Sequence, residues 1–481
     1  MTKQALAVLV CGLLLAACVS QPAPWTPDTA HYQSDSPVLD GTMDLRGHLD
    51  LPPTDSRGIE DLPPTDSRGQ GDALSPDETS AEVLPENDAV SVDINATELP
   101  GLEVVVPLDT IEDIEVQEIT TWEYVHEEHG RGTLVAVVET YNGDVLAAGF
   151  TMPTGQDHRG LLLRLDGGSG GLSWATENAE NKQTWFTDVV ENPVGDIFVS
   201  TLNFGLKTVG STGSIKYVQS PPGELLGLLW EDLDFTSTGQ LLMTGYVKQS
   251  AADQDYAGKI CKLQQEGSIV WCEEYGPELK DTTDRFAATV ELPSGDIFAV
   301  GSTTTSEDGN DRWVAGIASD GNLIWDKTLE GQPGELESFL HATATSDGNI
   351  IAVGSVGAIT GDPEKYDVGV MKLDYAGNTK WELVTEYGLA DIGKKVIELP
   401  NGDFLVVAYC HGPENSRFGR FLRVSSTGKL LDTVDLALGK QLHLSDAVLS
   451  SDGGLVLVGR YNSTTDYNKE RPWVKKMSLP W

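Results

Sequence analysis

The sequence predicts an all-β fold: a seven-bladed β-propeller of four-stranded antiparallel blades, closed by pairing of its N- and C-terminal strands and preceded by a disordered acidic tether. Three observations carry this expectation. A stretch of the type SDGNIIAVGS (Ser346 to Ser355) recurs seven times; each copy is flanked by further strand-like runs split by glycine turns; and the chain stops one strand short of a complete last repeat.

In chain order, residues 1–17 come first. MTKQALAVLVCGLLLAAC has an early Lys3, an apolar run from Ala5 to Leu15 and small residues ahead of Cys18, the layout of a secretory signal and too short for a spanning helix. Leu15-Ala16-Ala17-Cys18 resembles the bacterial lipobox, which implies lipidation of Cys18 as the first mature residue and a membrane attachment through that anchor. Val19 stands where Asp would imply retention in the inner membrane, so the resemblance places the protein in a bacterial cell envelope, at the outer membrane, with its side of that membrane open.

Residues 18–115 differ in composition. From residue 19 to 120 there are 23 Asp plus Glu against Arg46, Arg57 and Arg68, and the nonapeptide DLPPTDSRG occurs twice, at Asp50 to Gly58 and Asp61 to Gly69. Low hydrophobicity with strong like charge cannot repay the entropy of ordering, so this segment is expected to be a self-repelling tether. The whole chain of 481 residues carries 74 acidic and 32 basic residues, a net charge of -42. That excludes nucleic acid as a natural partner, since binding it needs clustered Lys and Arg to displace counterions from phosphates.

The repeats occupy 116–481. Aligned on the turn glycine of each copy they give Gly143, Gly195, Gly239, Gly295, Gly348, Gly402 and Gly453, with spacings of 52, 44, 56, 53, 54 and 51. In the fifth copy the strand-like runs are Phe339 to Ser346, Asn349 to Ser355, Asp367 to Asp374 and Thr379 to Val384, linked at Asp347-Gly348 and Ala376-Gly377, as tight antiparallel hairpins require. The second run is apolar on both faces, the pattern of a strand covered on both sides. After the seventh copy only one further strand remains, Pro472 to Leu479, and Ile119 to Val125 ahead of the first copy supplies the missing fourth. Trp174, Trp271, Trp325 and Trp381 recur four residues after the second hairpin glycine, with Tyr217 in the second copy, Asp432 departing in the sixth and Trp122 in the N-terminal strand; rings so placed are expected to dock blade on blade.

DRWVAGIASDGNLIWDKTLEG followed by HATATSDGNIIAVGS resembles the β-propeller repeats of about 50 residues in bacterial secreted and surface proteins, over most of 116–481. The outer-strand Gly-x-x-x-Trp element, Gly321 to Trp325 and Gly377 to Trp381, is similar to the quinoprotein-like propeller repeat, and the lipid-anchored layout resembles the propeller lipoprotein of outer-membrane assembly. No vicinal cysteine pair or quinone ligand set accompanies the repeat, so no cofactor is expected. The resemblance implies the fold; propellers host many unrelated activities.

Candidate chemistry is sparse. Gly167 to Gly171, GGSGG, fits the nucleophile-elbow pattern but lies in a hairpin with no following helix. His126 and His129 sit between two strands, outside a metalloprotease pattern, and Ser306 to Asp311 has oxygen ligands without the full calcium-loop spacing; no catalytic, cofactor or metal residue is assigned. Cys261 and Cys272 face each other across a hairpin if Glu266-Gly267 forms its turn, which allows a disulfide in an exported protein, leaving Cys410 free and buried. Two function classes follow. The first is a non-catalytic protein-interaction scaffold, its partner held on the loops joining second to third strands, such as Gly357 to Lys365 and Asn462 to Pro472. The second is a carbohydrate-binding or carbohydrate-cleaving protein, with Glu337 and Asp391 among its possible acids.

Overall fold

The protein is described here from a computed structural model. It covers residues 121–481 apart from 129, 154–156, 179–183, 203–204, 217–227, 250–255, 277–282, 305–308, 330, 332–334, 360–365, 386–389, 413–415, 439–440 and 463–468. Cys18 and the acidic segment up to residue 115 lie outside these residues, as do His129, Tyr217 and most of both loops named above.

Among the described residues the chain is all strand, without an α-helix, and its strands form four-stranded antiparallel groups in a propeller-like arrangement. The groups occupy 131–178, 186–216, 228–275, 285–329, 335–385 and 391–436, with a last group at 441–477. Within each, neighbouring strands are consecutive in sequence, so short turns suffice. The last group is different: Gln441–Leu449, Leu455–Asn462 and Arg471–Met477 are followed in the sheet by Trp122–Val125 from the other end of the chain, antiparallel, with Trp122 opposite Lys476 and Val125 opposite Trp473.

SDGNIIAVGS now has a physical reading, residue by residue. Gly348 has φ +75°, which lets the turn close at no steric cost. Asp347 accepts a charged bond from Lys372 on the third strand, 2.6 Å away, and Arg164–Asp144, Arg423–Asp403 and Lys476–Asp452 repeat that tie in other groups. Ile350 to Val353 are fully buried. Gly354 lies where an added Cβ would sit 1.8 Å from the Ser338 carbonyl oxygen, so only glycine permits the first strand to approach so closely there.

The cores lie between groups rather than within them. Ala136, Leu146, Ala148 and Leu162 of the first group pack with Phe186, Val189, Ile197 and Val199 of the second. The same two-sided pattern joins each later pair. A further cluster joins Trp122, Val456, Val458 and Val474 of the last group to Leu134, Val145, Leu161 and Leu163 of the first. A second strand that is apolar on both faces follows directly from cores on both sides of it.

Tryptophans seal these interfaces. Trp122, Trp174, Trp271 and Trp381 each donate the indole N–H to a turn carbonyl of the next group, at 2.9, 2.9, 3.0 and 3.0 Å, the acceptors being Gly167, Ser211, Ser319 and Ser426. Each ring lies over the left-handed glycine of that turn, where a side chain would collide with it. For Trp122, of the last group, the turn belongs to the first.

Candidate functional site

Every first strand carries a register shift near its middle: between Leu134 and Ala136, Phe186 and Asp188, Trp230 and Asp232, Phe286 and Ala288, Phe339 and His341, Gly393 and Lys395, and Leu444 and Asp446. A bulge turns the following side chain out of the regular alternation. The seven residues that follow, Ala136, Asp188, Asp232, Ala288, His341, Lys395 and Asp446, line one cavity of about 110 Å³, joined there by Glu231, Arg285 and Lys394. All seven stand seven positions before the turn glycine of their copy.

The five polar members each tie their group to the next. Asp188 accepts from the Leu233 N–H at 2.8 Å, Asp232 from Thr289 N–H at 2.9 Å, and His341 Nδ1 from Val396 N–H at 3.4 Å. Asp446 accepts from Val137 N–H at 2.9 Å, which links the last group to the first, and its other oxygen pairs with Lys395 Nζ at 3.0 Å. In each backbone contact the donor is the residue just after the cavity position of the next strand. Glu231 pairs with Arg285 at 3.3 Å on the same cavity.

Burial dominates the electrostatics. It pushes the Asp188 carboxyl well above its ordinary range, and the neighbouring Asp232 and Asp446 charges push the same way. Asp232 is pushed up to about 7 by burial, with Asp234 adding to the rise. His341 falls well below its usual value through burial and the nearby Lys395 charge, so it is the neutral acceptor its hydrogen bond requires. Burial works against the Lys395 ammonium, but the Asp446 and Asp188 carboxylates outweigh it and hold its pKa above the ordinary lysine value. The site can hold a proton among its carboxylates and tie neighbouring first strands to one another.

A second layer lies three residues further along the first strands. Glu139, Glu191, Glu291 and Glu398 each accept from a backbone N–H in the preceding group's first hairpin, at Ser451, Tyr141, Ser237 and Ser346.

Glu337 and Asp391 do not line the cavity. Both are buried against arginines of third strands, Glu337 with Arg312 at 2.8 Å and Asp391 with Arg420 at 3.1 Å. Cys410, buried, donates its thiol hydrogen to Asp391, and burial foremost raises its pKa. Cys261 and Cys272 stand in register on adjacent strands, Cα atoms 4.0 Å apart, and form a disulfide. That spacing is nearer the non-hydrogen-bonded type of pair. Ser169 of GGSGG bonds Asp166 through both backbone N–H and hydroxyl, as a turn residue does. His126 is buried, its Nδ1 3.2 Å from the Tyr124 hydroxyl. Asp311 accepts from Gly331 N–H, and among the described residues no cluster of His, Cys, Asp and Glu has metal-site geometry. The cavity residues were missed from sequence although their fixed offset from the turn glycine marks them.

No protein-family profile and no curated protein matches the chain. Among solved structures it is similar to a protein of unknown function from Bacteroides caccae, at 12% identity and TM-score 0.37 over 60% of this chain and 93% of that one. It is also similar to Drosophila plexin A, solved in complex with semaphorin 1b, at 9% identity and TM-score 0.44 over 76% and 87%. A third likeness is to puromycin hydrolase, at 15% identity and TM-score 0.46 over 74% of this chain and 56% of that one. The class the strands themselves define is an all-β, propeller-like protein.

Proposed function

We propose that the chain is a closed seven-bladed β-propeller acting as a non-catalytic protein-interaction scaffold, lipid-anchored at Cys18 on the outer membrane and carried on the acidic segment 18–115. The ring reading is supported by the contacts between the last and first groups: Asp446 with Val137, Trp122 with Gly167, and the shared apolar cluster. The scaffold reading is carried by one observation. The polar side chains that converge from the first strands bond the backbone of the neighbouring strand, which makes the cavity a hub that stiffens a platform. The bacterial surface-repeat resemblance and the lipobox fit a platform held away from a membrane.

The test is capture from envelope extract on immobilised full-length protein, with retained proteins and glycans both quantified. The scaffold reading expects one protein retained near stoichiometrically. Glycan retained without protein would replace it with carbohydrate recognition.

A further inference from the structure

The repeat is its own control for what the fold requires. At the two central positions of the turn between first and second strands, five copies read Ser237-Thr238, Pro293-Ser294, Ser346-Asp347, Pro400-Asn401 and Ser451-Asp452: serine or proline, then a small polar residue. The other two read Tyr141-Asn142 and Pro193-Val194. Tyr141 and Val194 are the departures, and nothing in the turn geometry calls for them, since all seven turns close on the same left-handed glycine.

These two side chains are also the most exposed large apolar groups among the described residues, at 70% and 83%; the others of that kind lie on fourth strands. They belong to neighbouring groups and line one groove of about 410 Å³ together with Ser211 and Lys216. Its floor is fixed. Arg164 bonds Asp144, Asn142 and Glu191 at 2.8, 2.9 and 3.2 Å, and Glu191 also accepts from Tyr141 N–H at 3.1 Å, so the hairpin bearing Tyr141 is held in place. A rigid concavity rimmed by an exposed tyrosine and an aliphatic side chain has the composition of a protein-binding hot spot.

We infer that this groove receives an apolar anchor side chain of a protein partner, in a peptide segment of net positive charge. The charge follows from residues 121–481, which hold 51 acidic and 28 basic residues, so a basic segment is steered toward this body and an acidic one repelled. This inference rests on the scaffold reading and assigns it a docking surface on the hairpin side, separate from the loops joining second to third strands.

The probe is a random dodecamer peptide display library panned against the full chain, followed by anisotropy titration of the selected peptides as synthetic ligands. Enriched sequences should pair an aromatic or aliphatic residue with flanking Lys or Arg. The double variant Tyr141→Ser, Val194→Ser introduces a residue other copies tolerate and should melt as wild type does, yet weaken the peptides roughly tenfold or more; Leu431→Ser, on an outer strand, should leave affinity unchanged. If the peptides, or the protein captured from envelope extract, bind the double variant as tightly as wild type, the groove assignment fails while the scaffold reading stands. If no peptide is enriched and a neutral oligosaccharide panel binds instead, both fail.

Discussion

Asp446 holds two neighbours at once, the Val137 backbone N–H at 2.9 Å and the Lys395 ammonium at 3.0 Å. Asp446→Ala removes both and leaves a cation in the cavity without its carboxylate, so a loss of about 2–4 kcal/mol is expected in urea unfolding, with Asp446→Asn losing less because an amide oxygen still accepts. Asp232 sets a pH dependence whose sign is fixed by its raised pKa. Between ~4 and about 7 the folded chain keeps a proton on Asp232 that the unfolded chain has released, so this group's contribution falls as pH rises through that window. Asp232→Asn mimics the protonated form; its urea midpoint relative to wild type should be highest at pH 8 and decline by pH 5, and a pH-independent difference would refute the assignment. Asp347 runs the other way: the Lys372 hydrogen bond holds its pKa well below the ordinary value, so its contribution is complete above ~4 and fades as pH falls further. The individual cavity residues were the least legible part of the sequence. An Asp inside an apolar strand reads as a solvent-facing alternation; the common offset from the turn glycine marks the positions, but only the bulge shows that Asp188, Asp232 and Asp446 are turned onto one another.

The hairpins explain why the elements themselves were legible. A turn glycine and an apolar run are both local, so the order of strands and their antiparallel pairing could be read copy by copy. Two glycines six residues apart have different reasons for being glycine. Gly348→Ala meets open space but keeps a disfavoured φ, and should lose about 1 kcal/mol; Gly354→Ala drives a methyl into the Ser338 carbonyl and should lose about 3 kcal/mol or more, as read from paired melting curves. The sixth copy has Ala408 at the position of Gly354, and there the facing first-strand residue is Gly393, so the close approach is accommodated from the other side. Trp122→Ala should be as severe as a core deletion, about 3–5 kcal/mol, because the ring seals an interface and its N–H closes the first group's turn.

At the scale of the whole molecule, the arithmetic of strands carried more than any motif. A last repeat lacking one strand, and a lone strand ahead of the first, led to the pairing found between Trp122–Val125 and Arg471–Met477. Apolar clusters shared between successive groups, and between the last and the first, cover the apolar second strands on both faces. The contacts between the last and first groups repeat those inside the chain: an indole on a turn carbonyl, a carboxylate on a first-strand N–H, and Glu139 accepting from Ser451. The ligand was not legible, because a scaffold's specificity resides in departures from the repeat, and Tyr141 and Val194 become conspicuous only once the groove between them is seen. The most direct test of the ring is a cross-link across its join. Glu123→Cys and Lys475→Cys face each other in register, the first position exposed and the second half-buried, and mild oxidation of the double variant should give an intramolecular disulfide in the monomer and a higher melting temperature. Cross-linking only between separate chains, or none while both thiols stay reactive, would contradict the closed propeller.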